Sequence, residues 1–95
     1  MLQIKFATRA QRDLKAIWLF IHADNPTAAD RVLNSIDHRM QQLRDHPFSG
    51  QPRYDLGPGI RHLIAGQYLV LYRVTEEFIL IVRVFHGNRR LPTRL

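Results

Sequence analysis

The spacing of apolar residues changes near the middle of this chain, and that change limits what the chain can fold into. Up to about residue 45, apolar side chains recur every three or four positions, as on one face of a helix. Between residues 60 and 85 they become dense and rich in β-branched and aromatic types, as in strands. A chain of 95 residues with these two patterns and no linker is expected to form one α+β domain over residues 1–95.

A strand and a helix are predicted at the start of the chain. The first six residues alternate apolar and polar side chains, which is typical of a half-buried strand. Thr8 and Gln11 have the spacing of a capping box, in which side chains satisfy free N–H groups at a helix N-terminus. We therefore expect a helix over residues 9–23. Trp18 and Phe20 widen its apolar face beyond what one packing partner needs.

A second helix is predicted almost directly after the first. Asn25 is a favoured N-terminal cap, and Pro26 is favoured at the first helical position. The helical spacing then continues to about residue 45, before Pro47 ends it. The two helices should form a hairpin with a tight turn.

The second half of the chain is expected to form a β-meander. Residues 48–59 contain several Gly and Pro and predict a loop with a short strand at residues 53–56. Further strands are predicted at residues 60–64, 68–74 and 78–85, and their short connections make them antiparallel neighbours. The expected order is β-α-α-β-β-β, with the helical hairpin packed on a small, mainly antiparallel sheet. The last two strands are apolar on both faces and should be covered on both sides.

Charge and composition narrow the class of partner. Fourteen Lys and Arg stand against eight Asp and Glu, which gives a formal net charge of +6, and four arginines with no acid lie at or after residue 83. Such a charge favours encounters with nucleic acid or an acidic protein segment. The chain has no cysteine, so a disulfide framework and a thiolate zinc site are excluded. Because it also shows no signal peptide and no long apolar run, we expect a cytoplasmic protein without membrane spans, cofactor or metal.

Four arginines in the β half need an explanation. Arg61, Arg73 and Arg83 fall within predicted strands, and Arg53 precedes them. Burial of an unpaired guanidinium is costly, so two alternatives remain. Each arginine pairs with an acid or a carbonyl, or the group converges on one face as an anion site.

His86 follows the last predicted strand and is a candidate general acid. With Arg61 and Arg83 holding a phosphate, such a histidine has the chemistry to assist RNA cleavage. The alternative is a strand-end histidine that hydrogen-bonds to the backbone. Cleavage also needs a base, and the candidates are Asp55, His62 and Glu76.

Nearly the whole chain resembles the ParE-like branch of the RelE/ParE superfamily of toxins. Residues 17–50, IWLFIHADNPTAADRVLNSIDHRMQQLRDHPFSG, resemble the helical hairpin of that family, and PRYDLGPGIRHLIAGQYLVLYRV and ILIVRVFHGNRR resemble its second half. The features that are specific in combination are Asn25-Pro26, Pro47, Gly50, Arg61, Tyr68, Tyr72-Arg73 and His86-Gly87.

The resemblance implies a toxin of a type II toxin–antitoxin system, neutralised in a hetero-oligomer by a ParD-like antitoxin whose C-terminal segment wraps the toxin. ParE-like toxins are associated with poisoning DNA gyrase without catalysing a reaction themselves. The basic residues would then form a target-binding surface, made of Arg61, Arg73, Arg83, His86, Arg89 and Arg90. The apolar face of the helical hairpin would bind the antitoxin through Leu14, Trp18, Ile21, Val32 and Ile36, although Trp18 equally fits a role in the core.

The RelE-like branch of the superfamily gives the alternative function, which is ribosome-dependent cleavage of mRNA. Arg61, Arg83 and His86 would fill three places of its catalytic set. Against it, the chain has no lysine after Lys15, no glutamate in residues 53–63 and no tyrosine after Tyr72. A plain nucleic-acid-binding module explains the charge but not the ordered series of motifs.

Overall fold

The computed structural model describes residues 1–88 and Leu91, and it places two helices on one face of a five-stranded sheet. The elements are β1 (Gln3–Phe6), α1 (Thr8–His22), α2 (Pro26–Gln41), a short 3₁₀ helix (Gln42–Arg44), β2 (Gln51–Pro52), β3 (Arg61–Ala65), β4 (Tyr68–Val74) and β5 (Phe78–His86). This confirms the predicted α+β class and the β-α-α-β-β-β order. The addition is β2, a strand of two residues at one edge.

The sheet has the strand order β1-β5-β4-β3-β2. Strands β3, β4 and β5 are antiparallel neighbours, as their short connections require, and β2 is antiparallel to β3. Strand β1 lies parallel to β5 and pairs with it only from Phe78 to Ile81. The helical hairpin therefore connects one edge strand to the rest of the sheet.

Apolar side chains fill both faces of the sheet. On the helix side, Ile36, Met40 and Leu43 pack against sheet residues such as Val70 and Ile81. On the far side, a smaller cluster contains Leu56, Ile60, Leu71 and Phe85, with Leu91 packed against it. The loop before β3 thus covers the face of the sheet opposite the helices, as the apolar character of both strand faces predicted.

The two helices begin in different ways. Asn25 caps α2 as predicted, because its Oδ1 accepts a hydrogen bond from the Ala28 N–H at 3.1 Å. The predicted capping box of α1 is wrong: the cap position is Ala7, without a side-chain cap, and Thr8 is already helical. Gln11 instead donates from Nε2 to the carbonyl of Phe6 at 3.3 Å.

The strand predicted at residues 53–56 is also wrong. These residues form a turn, in which the Leu56 N–H donates to the Arg53 carbonyl at 3.0 Å. Strand pairing with β3 occurs just before the turn, at Gln51 and Pro52. The glycines and prolines on both sides of residues 53–56 favour the turn over a longer strand.

Helical side chains close both open edges of the sheet. Strand β3 pairs with β2 only at its first two residues, and beyond them Arg39 of α2 donates from Nε to the Ile64 carbonyl at 3.0 Å. Strand β5 continues past the end of β1, and there Asp13 of α1 accepts from the Val84 N–H at 2.9 Å. Backbone groups that would otherwise lack a partner strand are satisfied in this way.

Tyr72 fastens the loop after α2 to the core. Its ring is fully buried, and its hydroxyl donates to the Pro47 carbonyl at 2.8 Å and accepts from the Gly50 N–H at 2.9 Å. A Cβ at Gly50 would lie 2.5 Å from both the Tyr72 hydroxyl and the His62 carbonyl. Only glycine fits this close approach.

We expect Tyr72→Phe to lower the free energy of unfolding by about 1–3 kcal/mol, because it leaves a buried N–H without its acceptor. Urea denaturation followed by circular dichroism measures this change. Tyr54→Phe is the matched control, since Tyr54 is 79% exposed. Equal midpoints for the two variants would show that the Tyr72 hydroxyl does not hold the loop.

Candidate functional site

A groove of about 880 Å³ opens between the helical hairpin and the turn that joins β3 to β4. We call it the hairpin groove. Helix α1 lines it with Asp13, Ala16, Ile17, Phe20 and Ile21, helix α2 with Arg31, Val32, Ser35 and Ile36, and the sheet with residues 65–68, Val84 and His86.

The hairpin groove is mainly apolar and presents an exposed aromatic ring. Phe20 is 83% exposed, and its neighbour Leu19 is 52% exposed. Ile36 is buried and belongs to the main core. Arg31 adds a positive charge at the surface of the groove. A concave apolar surface with a large exposed ring is typical of a site for an amphipathic protein segment.

Three of the five residues predicted to bind an antitoxin line this groove, namely Ile21, Val32 and Ile36. The structure places the other two elsewhere. Leu14 packs against the main core. Trp18 donates from Nε1 to Asp30 Oδ1 at 2.9 Å and stacks on His22 at 4.3 Å between ring centroids, so it links the two helices.

Phe20 lines the groove, as the wide apolar face predicted for α1 implied, although it was not among the five predicted antitoxin contacts. The pattern did not show whether Trp18 or Phe20 would meet α2, because both lie off the main apolar stripe and only the helix crossing separates them.

The arginines of the β half pair individually, which is the first of the two alternatives left open by the sequence. Arg61 donates from Nη1 to the carbonyls of Phe48 and Gly50 at 3.2 and 2.8 Å. Arg73 donates to the carbonyl of the loop proline at position 58 at 3.2 Å. Arg61 lies opposite Tyr72 and therefore shares its face of the sheet. Arg73 is the next residue along β4, so the side chains of Arg61 and Arg73 leave opposite faces of the sheet.

Arg83 forms a two-point ion pair with Asp13. Its Nε lies 2.7 Å from Asp13 Oδ2, and its Nη2 lies 3.1 Å from Oδ1. The two side chains are only 12% and 13% exposed, and the guanidinium also lies 4.4 Å from the ring centroid of Phe85. The charge of Arg83 is therefore offset and its position is fixed.

His86 has the backbone contact that the sequence left as an alternative. Its Nδ1 accepts from the Asn88 N–H at 3.1 Å, and its ring meets Tyr68 edge-on at 5.2 Å. His86 lies opposite Tyr68 in the sheet. Arg61 lies opposite Tyr72, four residues further along β4, a separation of about 13 Å of strand. The backbone positions of His86 and Arg61 are therefore too far apart to lie on either side of one phosphate.

The candidate bases are held in other contacts or lie apart. Arg53 binds Asp55 through two hydrogen bonds of 3.0 and 2.9 Å, and this contact lowers the pKa of the Asp55 carboxyl. Burial, and then the charge of Arg53 at 3.2 Å, lowers the pKa of His62. Glu76 lies exposed in the turn between β4 and β5.

Two of the predicted target contacts, Arg89 and Arg90, lie outside the described residues. Within residues 1–88 and Leu91, no cluster of three or more His, Cys, Asp or Glu side chains is placed to hold a metal ion. In the same part of the chain, neither helix has the length and apolar character needed to cross a membrane.

We expect Asp13→Asn to lower the free energy of unfolding by about 2–4 kcal/mol, because it leaves the largely buried Arg83 guanidinium without its counter-charge. The comparison of urea midpoints with Asp37→Asn, an exposed carboxyl on α2, provides the control. If both variants were as stable as the parent chain, Arg83 would not depend on Asp13.

Comparison with known proteins gives one consistent family. A family model described as the ParE toxin of the type II toxin–antitoxin system parDE matches residues 4–91. The chain is 31% identical to Toxin ParE1 of Caulobacter vibrioides over 96% of this chain and 95% of that protein. It is 32% identical to Toxin RelE3 of the same organism, over 95% and 99%. It is also 30% identical to the putative toxin Y4kP of Sinorhizobium fredii, over 95% and 93%.

Solved structures agree with these relatives. The chromosomal ParDE toxin–antitoxin system of P. aeruginosa superposes with a TM-score of 0.78 at 25% identity, over 90% of this chain and 96% of that one. The RelBE2 toxin–antitoxin complex of Mycobacterium tuberculosis gives 0.61 at 28% identity, over 90% and 96%. The DinJ-YafQ complex of E. coli, with 0.65 at 15% identity over 90% and 93%, shares the fold.

Proposed function

This chain belongs to the ParE toxin family of type II toxin–antitoxin systems, within the RelE/ParE superfamily, and from that premise we propose that it arrests growth by binding and poisoning DNA gyrase. The resemblance to ParE-like toxins supports gyrase as the target. The arrangement of the basic residues supports a binding mechanism over a catalytic one.

The single observation that carries this proposal is the separation of the groups that RNA cleavage needs. Arg83 is held by Asp13, and Arg61 lies about four residues of strand away from His86. A nuclease site requires an acid, a base and a cation within hydrogen-bond reach of one phosphate. Among the described residues, these three groups do not meet at one point.

The second candidate is ribosome-dependent cleavage of mRNA. It is favoured by the 32% identity to a relative named Toxin RelE3 and by the position of His86 at the hairpin groove. In this alternative, His86 would act as the acid, with Arg61 and Arg83 as phosphate contacts. The ribosome would have to supply or rearrange the missing base.

We expect the purified toxin to block supercoiling by gyrase and to accumulate double-strand breaks in a plasmid. His86→Gln should weaken gyrase inhibition at most partially, through the loss of one predicted target contact, because the proposed mechanism transfers no proton. A parallel reaction with ribosomes and mRNA tests the second candidate. Two results together would identify the ribosome as the target instead of gyrase. Supercoiling would be unchanged at excess toxin, and the mRNA would be cleaved by the parent chain but not by His86→Gln.

We also propose that the hairpin groove binds the antitoxin. The similar structures include complexes of a toxin with its antitoxin. The groove has the apolar surface that an amphipathic segment needs, and Arg31 together with a net charge of +6 favours an acidic segment. Ile21, Val32 and Ile36 would form its floor, with Phe20 at its rim. Trp18 and Leu14, predicted from the sequence as contacts, would act through the packing of the helices.

We expect Phe20→Ala to weaken antitoxin binding by about 10- to 100-fold, because exposed aromatic anchors dominate small interfaces. Isothermal titration with the antitoxin encoded by the neighbouring gene measures this loss. Phe48→Ala removes a ring of the same kind that is 64% exposed and lies outside the hairpin groove, so it should bind normally. Unaltered affinity in Phe20→Ala would exclude the rim of the groove as an anchor point.

A further inference from the structure

A second concave surface lies between the loop after α2 and the start of β3. This notch has a volume of about 170 Å³ and is flanked by Phe48, Tyr54 and Arg61. We call it the aromatic notch. Phe48 and Tyr54 are 64% and 79% exposed. Among the described residues, the notch and the hairpin groove have no lining residue in common.

We propose that the aromatic notch binds an unpaired segment of nucleic acid, with bases stacked on Phe48 and Tyr54 and the backbone phosphate held by Arg61. This contact does not require gyrase, whereas the second candidate function would share its phosphate contact at Arg61. It would give the toxin a nucleic-acid affinity of its own.

The geometry of Arg61 favours a stacked, anionic ligand. Its guanidinium lies 5.0 Å from the ring centroid of Phe48, as in a cation–π pair. Bonds from Nη1 to the carbonyls of Phe48 and Gly50 fix this position. Because those bonds use one nitrogen, the guanidinium retains donors for a phosphate. The guanidinium is therefore held in place before a ligand arrives, which reduces the entropic cost of binding.

The charge around the notch has the sign that a phosphate backbone requires. Its described lining residues include no acid. The carboxyl of Asp55, close in sequence to Tyr54, is offset by its two-point pair with Arg53. Arg61 is therefore the cation that faces the notch. Cations beside exposed aromatic rings are the usual composition of a single-strand binding surface.

The size of the notch favours a planar base over a folded protein. Its volume of about 170 Å³ is small compared with pockets for drug-sized ligands, which begin near roughly 300 Å³. A stable protein interface needs on the order of 800 Å² from each partner, with several anchors. Two rings and one fixed guanidinium suit one or two stacked nucleotides.

The test is fluorescence anisotropy of a labelled twelve-base single-stranded thymidine oligonucleotide with the full chain. We expect Phe48→Ala and Tyr54→Ala each to weaken binding by roughly 5- to 100-fold, the loss that removal of one stacking ring causes. Phe48→Trp should retain the affinity for the oligonucleotide, because it keeps an aromatic ring at this position. Phe20→Ala is the matched control, since its ring is 83% exposed but lies in the hairpin groove. Uridine and duplex oligonucleotides of the same length show whether RNA binds equally and whether pairing prevents stacking.

Equal affinities for the parent chain, Phe48→Ala and Tyr54→Ala would overturn the proposal, because binding would then depend on charge alone. A loss of self-association in both variants, without a change in oligonucleotide affinity, would assign the notch to a second copy of the chain. Circular dichroism verifies folding of each variant. If one of the two alanine variants unfolds, the other still tests the proposal. Since gyrase is absent from the assay, failure here is distinct from failure of the gyrase proposal.

Discussion

The carboxylate of Asp13 links helix α1 to strand β5 at the place where β1 no longer covers β5. Strand β1 is too short to pair with all of β5, so the last part of β5 would have a free N–H at Val84 and an unpaired guanidinium at Arg83. Asp13 satisfies both, with three hydrogen bonds of 2.7 to 3.1 Å. Its position on α1 also fixes where the hairpin groove begins, because Asp13 lines that groove and the apolar residues that follow it along α1 continue the lining.

Other polar side chains also form hydrogen bonds with backbone groups of the sheet and its loops. Arg39 closes the other open edge at Ile64, and Tyr72 and Arg61 tie the loop after α2 to the strands through backbone carbonyls and an N–H. Polar groups that the sequence allows to be functional thereby also stabilise the structure. The surfaces that remain for partners are those where apolar or aromatic side chains stay exposed beside a cation, which are the hairpin groove and the aromatic notch.

The separation of these two surfaces bears on how a toxin of this family is controlled. An antitoxin segment in the hairpin groove would contact Phe20 and Arg31, whereas a nucleic acid in the aromatic notch would contact Phe48 and Tyr54. Because the two surfaces have no described lining residue in common, a bound antitoxin would affect nucleic-acid binding through its bulk and charge more than by direct replacement of the ligand. Acidic residues of a bound antitoxin would offset the positive charge of the toxin and so weaken its attraction for a polyanion.

Local patterns by themselves determined the helical hairpin, the β-meander and the cap at Asn25, because apolar periodicity and Asn-Pro chemistry act over a few residues. The capping box at Thr8 and the strand at residues 53–56 failed, because other local contacts formed instead: Gln11 donates to the Phe6 carbonyl, and Leu56 donates to the Arg53 carbonyl in a turn. Only the tertiary structure decided that Arg83 belongs to Asp13, 70 positions earlier in the chain, and that Phe20 faces the groove while Trp18 binds Asp30. Pairing across such separations depends on how the helices cross the sheet, and no spacing along the chain encodes that crossing directly.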